Sequence, residues 1–243
     1  VFAIRSERQL CSEVQVNLAY RWFCRLGLEA PIPDHSVFSR ARHERFGEAE
    51  TFRLVFEEVV RACIGEGLVG GKSFSVDASF IKADVDQVKR VPGDEPIDWP
   101  DAKQASPAVT EYLNALDQAA PEAGKGGRRT NPPKAISLTD PQATWATKRQ
   151  KVRPAFVYDA NYLIDNKLGI IVDAEGTRAN RIEENRVCVA MVKRVKERFN
   201  LKPKRLAADT AYGSGKTLKA LIDCGIEPHI PVWDKSNRKD GTF

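Results

Sequence analysis

The chain has 243 residues, of which 42% are apolar, enough to build one large domain or two small ones around a sizeable core. It has no run of eighteen apolar residues, no secretory leader and no cysteines at disulfide or zinc-site spacing, which predicts a cytoplasmic protein without a membrane span. The net charge of +5 is modest, but the arginines and lysines cluster in stripes that suit a polyanionic partner.

The N-terminal seventy residues are predicted to be helical throughout. Ser6 followed by Gln9 forms a capping-box start for a first helix, whose broad apolar face continues to Gly27. A break at 31–34 precedes a second helix that ends at Arg45, and a third helix follows. Three helices with a basic second or third member indicate a relative of the helix-turn-helix, although a plain helical bundle fits the pattern equally well.

A strand with a carboxylate at its centre, 73–81, comes next. Alternation puts Ser75, Asp77 and Ser79 on one face, opposite the apolar side chains. Aspartate is rare in strands, and a carboxylate held there is costly unless a cation offsets its charge. Asp77 is therefore a candidate metal ligand, and the alternative is an exposed aspartate on an edge strand.

Along the rest of the chain, the periodicity of apolar residues is weak in some segments and strong in others. Residues 84–150 are predicted to be an insertion that contains one helix and a mobile basic loop. Two strands, 155–164 and 168–173, form a hairpin. A helix from Asn180, a short strand ending at Asp209, another helix and a last strand complete the order β-β-β-α-β-α-β.

This order is the ribonuclease-H-like arrangement, so the predicted fold class is α/β. A helical domain (1–70) precedes a ribonuclease-H-like mixed sheet with flanking helices (71–243), interrupted by the insertion. Asp77 and Asp209 would meet on adjacent central strands, where oxygen-only ligands suit two Mg²⁺ or Mn²⁺ ions. Such a pair of ions can activate a hydroxyl and stabilise the leaving oxygen of a phosphodiester. In isolation, Asp209 fits equally well as a cap before Thr210.

A set of motifs runs in order through nearly the whole chain. The N-terminal ones are Asn17-Leu-Ala-Tyr-Arg-Trp-Phe-Cys-Arg-Leu-Gly27 and Pro31-x-Pro33-Asp34-His35-Ser36-x-Phe-Ser39-Arg40-x-Arg42. The later ones are Asp77-Ala-Ser79, Thr139-Asp-Pro141, Tyr162-Leu-Ile-Asp165, Asp209-Thr-Ala-Tyr212-Gly213 and Lys239-Asp-Gly-Thr-Phe243. Together they resemble the bacterial insertion-sequence DDE transposases.

The resemblance implies an enzyme that binds transposon terminal inverted repeats and target DNA, both double-stranded, as a homo-oligomer at the bacterial nucleoid. It implies metal-dependent DNA cleavage and strand transfer, with Asp77 and Asp209 as the first two catalytic acids and as ligands of two Mg²⁺ or Mn²⁺ ions. The family's third acid, a Glu on a later helix, has no counterpart. The ending Lys239–Phe243 therefore indicates a C-terminally truncated copy, which is expected to be inactive.

Two basic clusters are assigned to DNA binding, although each alone also fits a solvated surface. They are Arg40, Arg42 and Arg45 in the second helix, and Lys148, Arg149 and Lys151 at the end of the insertion. Two other functions stay open: a ribonuclease-H-like nuclease without strand transfer, and a non-catalytic DNA-binding remnant of a transposase.

Overall fold

The computed structural model describes residues 4, 6–44, 51–101, 104–119, 133–147 and 153–232. The chain divides into two compact units, Val1–Ala62 and Cys63–Phe243. The first unit is helical, and the second contains a mixed sheet with helices. The predicted α/β fold class is therefore confirmed. The assignment of functions to domains 1–70 and 71–243 stays a prediction.

The first unit begins with two short helices where the apolar periodicity predicts one. The helices of this part of the chain are α1 (Glu7–Val16), α2 (Leu18–Phe23), α3 (His35–Glu44) and α4 (Thr51–Gly65). Ser6 caps α1 as predicted, since its Oγ accepts a hydrogen bond from the Gln9 N–H at 3.1 Å. The continuous first helix is wrong, because Asn17 has an extended backbone and caps α2 instead. Its Oδ1 accepts hydrogen bonds from the N–H groups of Ala19 and Tyr20.

A buried arginine holds the turn that follows α2. Arg21 is only 6% exposed, and its guanidinium donates to the carbonyls of Gln15, Gly27, Leu28 and Ala30. Its neighbours Trp22 and Phe23 are each 81% exposed. The predicted broad apolar face is therefore wrong at this end, where charge-assisted hydrogen bonds organise the turn.

Helix α3 begins where the sequence predicts. Asp34 Oδ1 accepts the Ser36 N–H at 2.9 Å. Hydrogen bonds from the side chain and the main chain of Ser36 lower the pKa of Asp34 to about 2. Helix α4 matches the third predicted helix, and it buries Glu57, which pairs with Arg61 at 3.3 Å. The polar contacts of these two helices are thus local: a capping hydrogen bond at the start of α3 and an ion pair between residues four apart in α4.

The second unit is organised around a six-stranded mixed sheet. The strands in chain order are β1 (Ser73–Lys82), β2 (Arg90–Val91), β3 (Ile136–Ser137), β4 (Thr144–Ala146), β5 (Ala155–Asp165), β6 (Ile170–Arg178), β7 (Arg205–Ala207) and β8 (Glu227–His229). Strand β5 pairs antiparallel with β1 on one side, and with β4 and β6 on the other. Strand β7 is parallel to β1, and β8 is parallel to β7. The spatial order of the six strands is β4-β5-β1-β7-β8, with β6 also paired to β5, so β1 lies at the centre. The other two strands, β2 and β3, form a separate two-stranded sheet.

Two helices connect the later strands of this sheet. They are α6 (Arg181–Phe199), between β6 and β7, and α7 (Gly215–Asp223), between β7 and β8, and they follow α5 (Pro107–Ala119) in the chain. Asn180 starts α6 as predicted, because its Oδ1 accepts the Glu183 N–H at 3.0 Å. Apart from β4, which the insertion adds to the sheet, the strands and connecting helices therefore follow the predicted order β-β-β-α-β-α-β.

The predicted insertion contributes more structure than its weak pattern indicates. Besides α5, it contains the antiparallel pair β2–β3 and the strand β4, which extends the main sheet. Trp145 of β4 packs on Phe156 with ring centroids 4.8 Å apart, and Arg90 lies over the Trp145 ring at 4.6 Å. The centre of the predicted basic loop, 120–132, lies outside the described residues. Among the helices that the structure describes, none is both long and apolar enough to cross a lipid bilayer.

Candidate metal centre at two adjacent central strands

Strand β1 presents Asp77 on its more polar face. Phe74 and Val76 are buried, whereas Asp77 is exposed, so the predicted alternation is confirmed. Its Oδ1 accepts the main-chain N–H of Ala78 at 2.8 Å. Strand β1 pairs with β5 along Phe74–Lys82 but with β7 only at Ser73–Ser75, so Asp77 is paired on the β5 side alone and the alternative of an exposed aspartate at a strand edge stays open.

Asp209 follows β7 with an extended backbone, φ −76° and ψ 177°. Its Oδ1 accepts the Ala211 N–H at 2.9 Å, which caps the short 3₁₀ turn Thr210–Tyr212. The capping alternative therefore correctly describes one oxygen of Asp209. Within the described part of the chain, neither Asp77 nor Asp209 forms an ion pair. Both carboxylates keep an oxygen that could meet a cation.

The strand register relates Asp77 to Asp209. The parallel pairs of β1 and β7 run from Ser73 with Arg205 to Ser75 with Ala207. Asp77 and Asp209 each lie two positions beyond the last of these pairs. Because side chains alternate along a strand, Asp77 lies on the face of β1 that carries Ser75, whereas Asp209 lies beyond the end of β7 at Ala207. The buried pair Phe74 and Leu206 marks the opposite face.

A single asparagine connects α6 to the segment that follows Asp209. Asn185 Nδ2 donates to the Ala211 carbonyl at 3.1 Å. Its Oδ1 accepts from the Thr217 hydroxyl at 2.5 Å and from the Ser214 hydroxyl at 3.3 Å. The side chain thereby bridges the 3₁₀ turn and the start of α7. No local pattern identifies this residue from the sequence, because its partners are 26 to 32 positions away.

Gly213 lets the same turn approach the chain after β8. A Cβ at this position would lie 2.0 Å from the carbonyl oxygen of Pro231, closer than any real contact. Only glycine fits without a backbone shift. The turn after Asp209 is thus fixed by Asn185 on one side and by the segment at Pro231 on the other.

Tyr212 fills the interior of this turn. It is 2% exposed, and its hydroxyl is buried with no hydrogen-bond partner among the described residues. Burial raises the pKa of Tyr212, and electrostatic interactions with Glu184, Cys188, Asp209 and Asp77 raise it further. The phenol therefore stays neutral. Tyr212 lies in the motif Asp209–Gly213, but no pattern in the sequence indicates a role for it or for Glu184.

The donor set at Asp77 and Asp209 fits a hard divalent cation. Both side chains offer carboxylate oxygens, and Mg²⁺ usually takes one or two carboxylates and keeps several waters. No group of three His, Cys, Asp or Glu side chains within the described ranges is arranged to hold a metal ion. A metal site at Asp77 and Asp209 therefore stays a prediction.

The basic residues assigned to DNA binding have different outcomes. Arg40 is an exposed residue of α3, and Arg42 lies in the same helix. Arg45 and the cluster Lys148, Arg149 and Lys151 lie outside the described residues. Their contacts with DNA stay predictions.

The architecture defines a class: a helical unit and a mixed α/β unit, in which Asp77 lies on the central strand β1 and Asp209 follows the neighbouring strand β7. A family model described as a transposase domain (DUF772) matches residues 1–44. This range contains α1, α2 and α3, so the N-terminal helices are similar to a transposase domain. No curated protein and no solved structure matches it.

Proposed function

We propose that the protein is a DDE transposase that binds transposon-end DNA and catalyses metal-dependent DNA cleavage and strand transfer. The observation that supports this proposal is the register of the parallel strands β1 and β7, because Asp77 and Asp209 each follow its last pair by two positions. The transposase-domain match at residues 1–44 supports the same reading for the helical unit. The connectivity of the sheet is the one expected of a ribonuclease-H-like catalytic domain.

In this proposal, Asp77 and Asp209 hold divalent cations against a scissile phosphodiester. Two Mg²⁺ or Mn²⁺ ions held by these residues would activate a hydroxyl and stabilise the leaving oxygen. The chain's own contribution is orientation: the Ala78 and Ala211 N–H groups each fix one carboxylate oxygen and leave the other available. Asn185 holds the turn that carries Ala211, which keeps Asp209 in place.

DNA is the proposed partner because the sequence contains two clusters of basic residues in addition to the acidic residues. Arg40, Arg42 and Arg45 would contact phosphates from the helical unit, and Lys148, Arg149 and Lys151 from the insertion. We further propose that the protein binds terminal inverted repeats and target DNA as a homo-oligomer. Its proposed location is the nucleoid in the bacterial cytoplasm. Replacing Lys148, Arg149 and Lys151 together should flatten the dependence of DNA affinity on salt. An unchanged slope would assign this cluster to solubility.

The metal site can be tested directly by calorimetric titration of the 243-residue chain with Mn²⁺. We expect binding by the wild type and a loss of at least about tenfold in affinity in D77N and in D209N, because each removes a charged ligand. D86N is the matched control, since Asp86 is also exposed and also accepts a main-chain N–H, from Val88 at 2.9 Å. Equal affinities in D77N and D86N would refute the site.

DNA assays separate the remaining functions. Labelled terminal-repeat DNA incubated with the protein and Mg²⁺ would be cut and joined by a transposase. Cutting without joining would indicate a nuclease of the same fold. Metal-independent binding to the repeats by a chain that does not bind Mn²⁺ would indicate a DNA-binding remnant.

A further inference from the structure

A groove of about 440 Å³ is lined by the second half of α6, the segment before β7 and the end of α7. Three exposed lysines, Lys193, Lys196 and Lys202, contribute to its lining. They come from two basic segments of the sequence, 193–198 and 202–205. The structure thus brings together cationic side chains that the sequence separates.

The ends of two helices hold Lys202 at this groove. The chain turns at Asn200, directly after α6, with a φ of 54°, and the Asn200 N–H donates to the Lys196 carbonyl at 2.9 Å. Gly225 follows α7 with a φ of 71°. A Cβ at Gly225 would lie 2.8 Å from Lys202 Nζ, so the ammonium group lies close over the main chain of this glycine.

The ammonium groups of the three lysines have no anionic partner in the part of the chain that the structure describes. Two acids also line the groove, Glu197 and Asp223. Asp223 already pairs with Lys219, at an Nζ to Oδ2 distance of 2.8 Å. Since Lys219 neutralises Asp223, three ammonium groups share the groove with one remaining carboxylate.

The chemistry of the groove fits a phosphate backbone better than a single small anion. An exposed ammonium group is strongly hydrated, so one phosphate gains little from it. A polyanion gains more, because each phosphate that a lysine neutralises releases condensed counterions. Lys193 and Lys196 are three positions apart in α6, so they are neighbours on one side of the helix. Successive phosphates can therefore contact them in turn.

The groove is separate from the proposed metal site. Asn185, near the start of α6, contacts the turn that follows Asp209. Lys196 lies eleven residues further along this helix, which is about 17 Å at 1.5 Å per residue. Lys202 precedes β7, whereas Asp209 follows it. The groove and Asp209 thus lie at opposite ends of β7.

We propose that this groove binds the phosphates of double-stranded DNA, without metal and away from Asp77 and Asp209. The inference rests on the proposed DNA partner and not on the proposed metal chemistry. It adds a binding surface to the basic clusters at Arg40–Arg45 and Lys148–Lys151. DNA that contacts this groove is held by the sheet-containing unit itself.

The first experiment measures the affinity of the 243-residue chain for a fluorescent DNA duplex of random sequence over a range of salt, without Mg²⁺. We expect K193Q/K196Q/K202Q to bind more weakly and to reduce the slope of log affinity against log salt by up to about 2.7, since each lost phosphate contact removes about 0.9. The matched control removes the same charge at three exposed lysines that do not line the groove, in the variant K82Q/K89Q/K134Q.

Two further measurements locate the contact. Cys224 lines the groove and is half-buried, so bound DNA should slow its reaction with iodoacetamide, which mass spectrometry of its peptide measures. Inorganic phosphate at the same concentration of phosphate groups should not slow it. E197Q should strengthen DNA binding, because it removes the negative charge that opposes phosphate in the groove. Lysines that only stabilise the end of α6 through its dipole predict none of these effects.

The outcomes separate this inference from the function on which it rests. If the wild type binds no DNA, both the groove and the DNA partner are overturned. If it binds DNA but the two triple variants have equal slopes, or DNA leaves Cys224 labelling unchanged, the groove is refuted and the DNA partner stands. Protection by inorganic phosphate, or by single-stranded RNA and not by duplex DNA, also refutes the proposal. If the groove variant melts well below its control, E197Q decides: tighter binding supports the groove, and unchanged affinity refutes it.

Discussion

Truncating Asn185 to alanine should loosen the turn that positions Asp209. The substitution removes three hydrogen bonds, each worth about 0.5–1.5 kcal/mol net. Part of this is recovered, because the Thr217 hydroxyl keeps the Ser214 hydroxyl at 2.8 Å and the half-buried Ala211 carbonyl can accept water. We therefore expect a loss of about 2 kcal/mol in the free energy of unfolding. For a unit of this size that is a fall of about 4–8 °C in melting temperature.

Differential scanning calorimetry measures this effect on the sheet-containing unit. N114A is the matched control, since Asn114 is an exposed residue of α5 whose side chain has no hydrogen bond to the described part of the chain. Alanine is the better helix former, so N114A should leave stability unchanged or raise it by a few tenths of a kcal/mol. N185A should also weaken Mn²⁺ binding, because it frees the turn that Asp209 caps. Equal melting temperatures for N185A and N114A would refute the clamp.

Three further predictions concern other parts of the chain. R21K should increase amide hydrogen exchange in the turn after α2, because lysine lacks the planar guanidinium that donates to several carbonyls at once. R25K, at an exposed position, should leave this exchange unchanged. Equal exchange in the two variants would contradict the role of the buried Arg21 hydrogen bonds. The pKa of Asp34 in the folded chain lies below its unfolded value, so ionised Asp34 stabilises the start of α3 fully above about pH 4, and this stabilisation is lost as the pH falls toward 2. NMR titration of the Asp34 carboxyl measures this pKa. An apparent value near 4 would refute the prediction. Burial raises the pKa of the Cys188 thiol to about 12. Labelling of the native protein with iodoacetamide should therefore modify exposed Cys24 first, as a fast phase of the reaction. A C24S variant that keeps this fast phase would disprove the order.

Features fixed by neighbours in sequence could be predicted. The caps at Ser6, Asp34 and Asn180 are hydrogen bonds over two or three positions, so a residue type and a spacing reveal them. Asn17 has the same chemistry, but the apolar periodicity around it favours a continuous helix and conceals the break. The alternation around Asp77 reflects a real half-buried strand, and its face is correctly predicted.

Features that depend on distant partners could not be predicted in this way. Asn185 is one polar residue in an amphipathic helix, and its role exists only once α6 packs beside the turn after β7. Burial of Tyr212 likewise depends on elements that converge in space. The exposed Trp22 shows the opposite error, because an apolar residue at helical spacing need not face a core when a buried Arg21 already organises the turn.

The central position of β1 has a consequence for how the protein is made. Asp77 and Asp209 are 132 positions apart, and at about 5–20 residues per second a ribosome needs about 7–26 s to synthesise the chain between them. Once β5 is made and until β7 follows, β1 can pair with β5 but not with β7, so the edge of β1 at Ser73–Ser75 has no partner. A bare strand edge is a template for pairing with another chain. Chains that stall between Asp165 and Arg205 should therefore associate through β1, and synthesis of β7 covers that part of its edge.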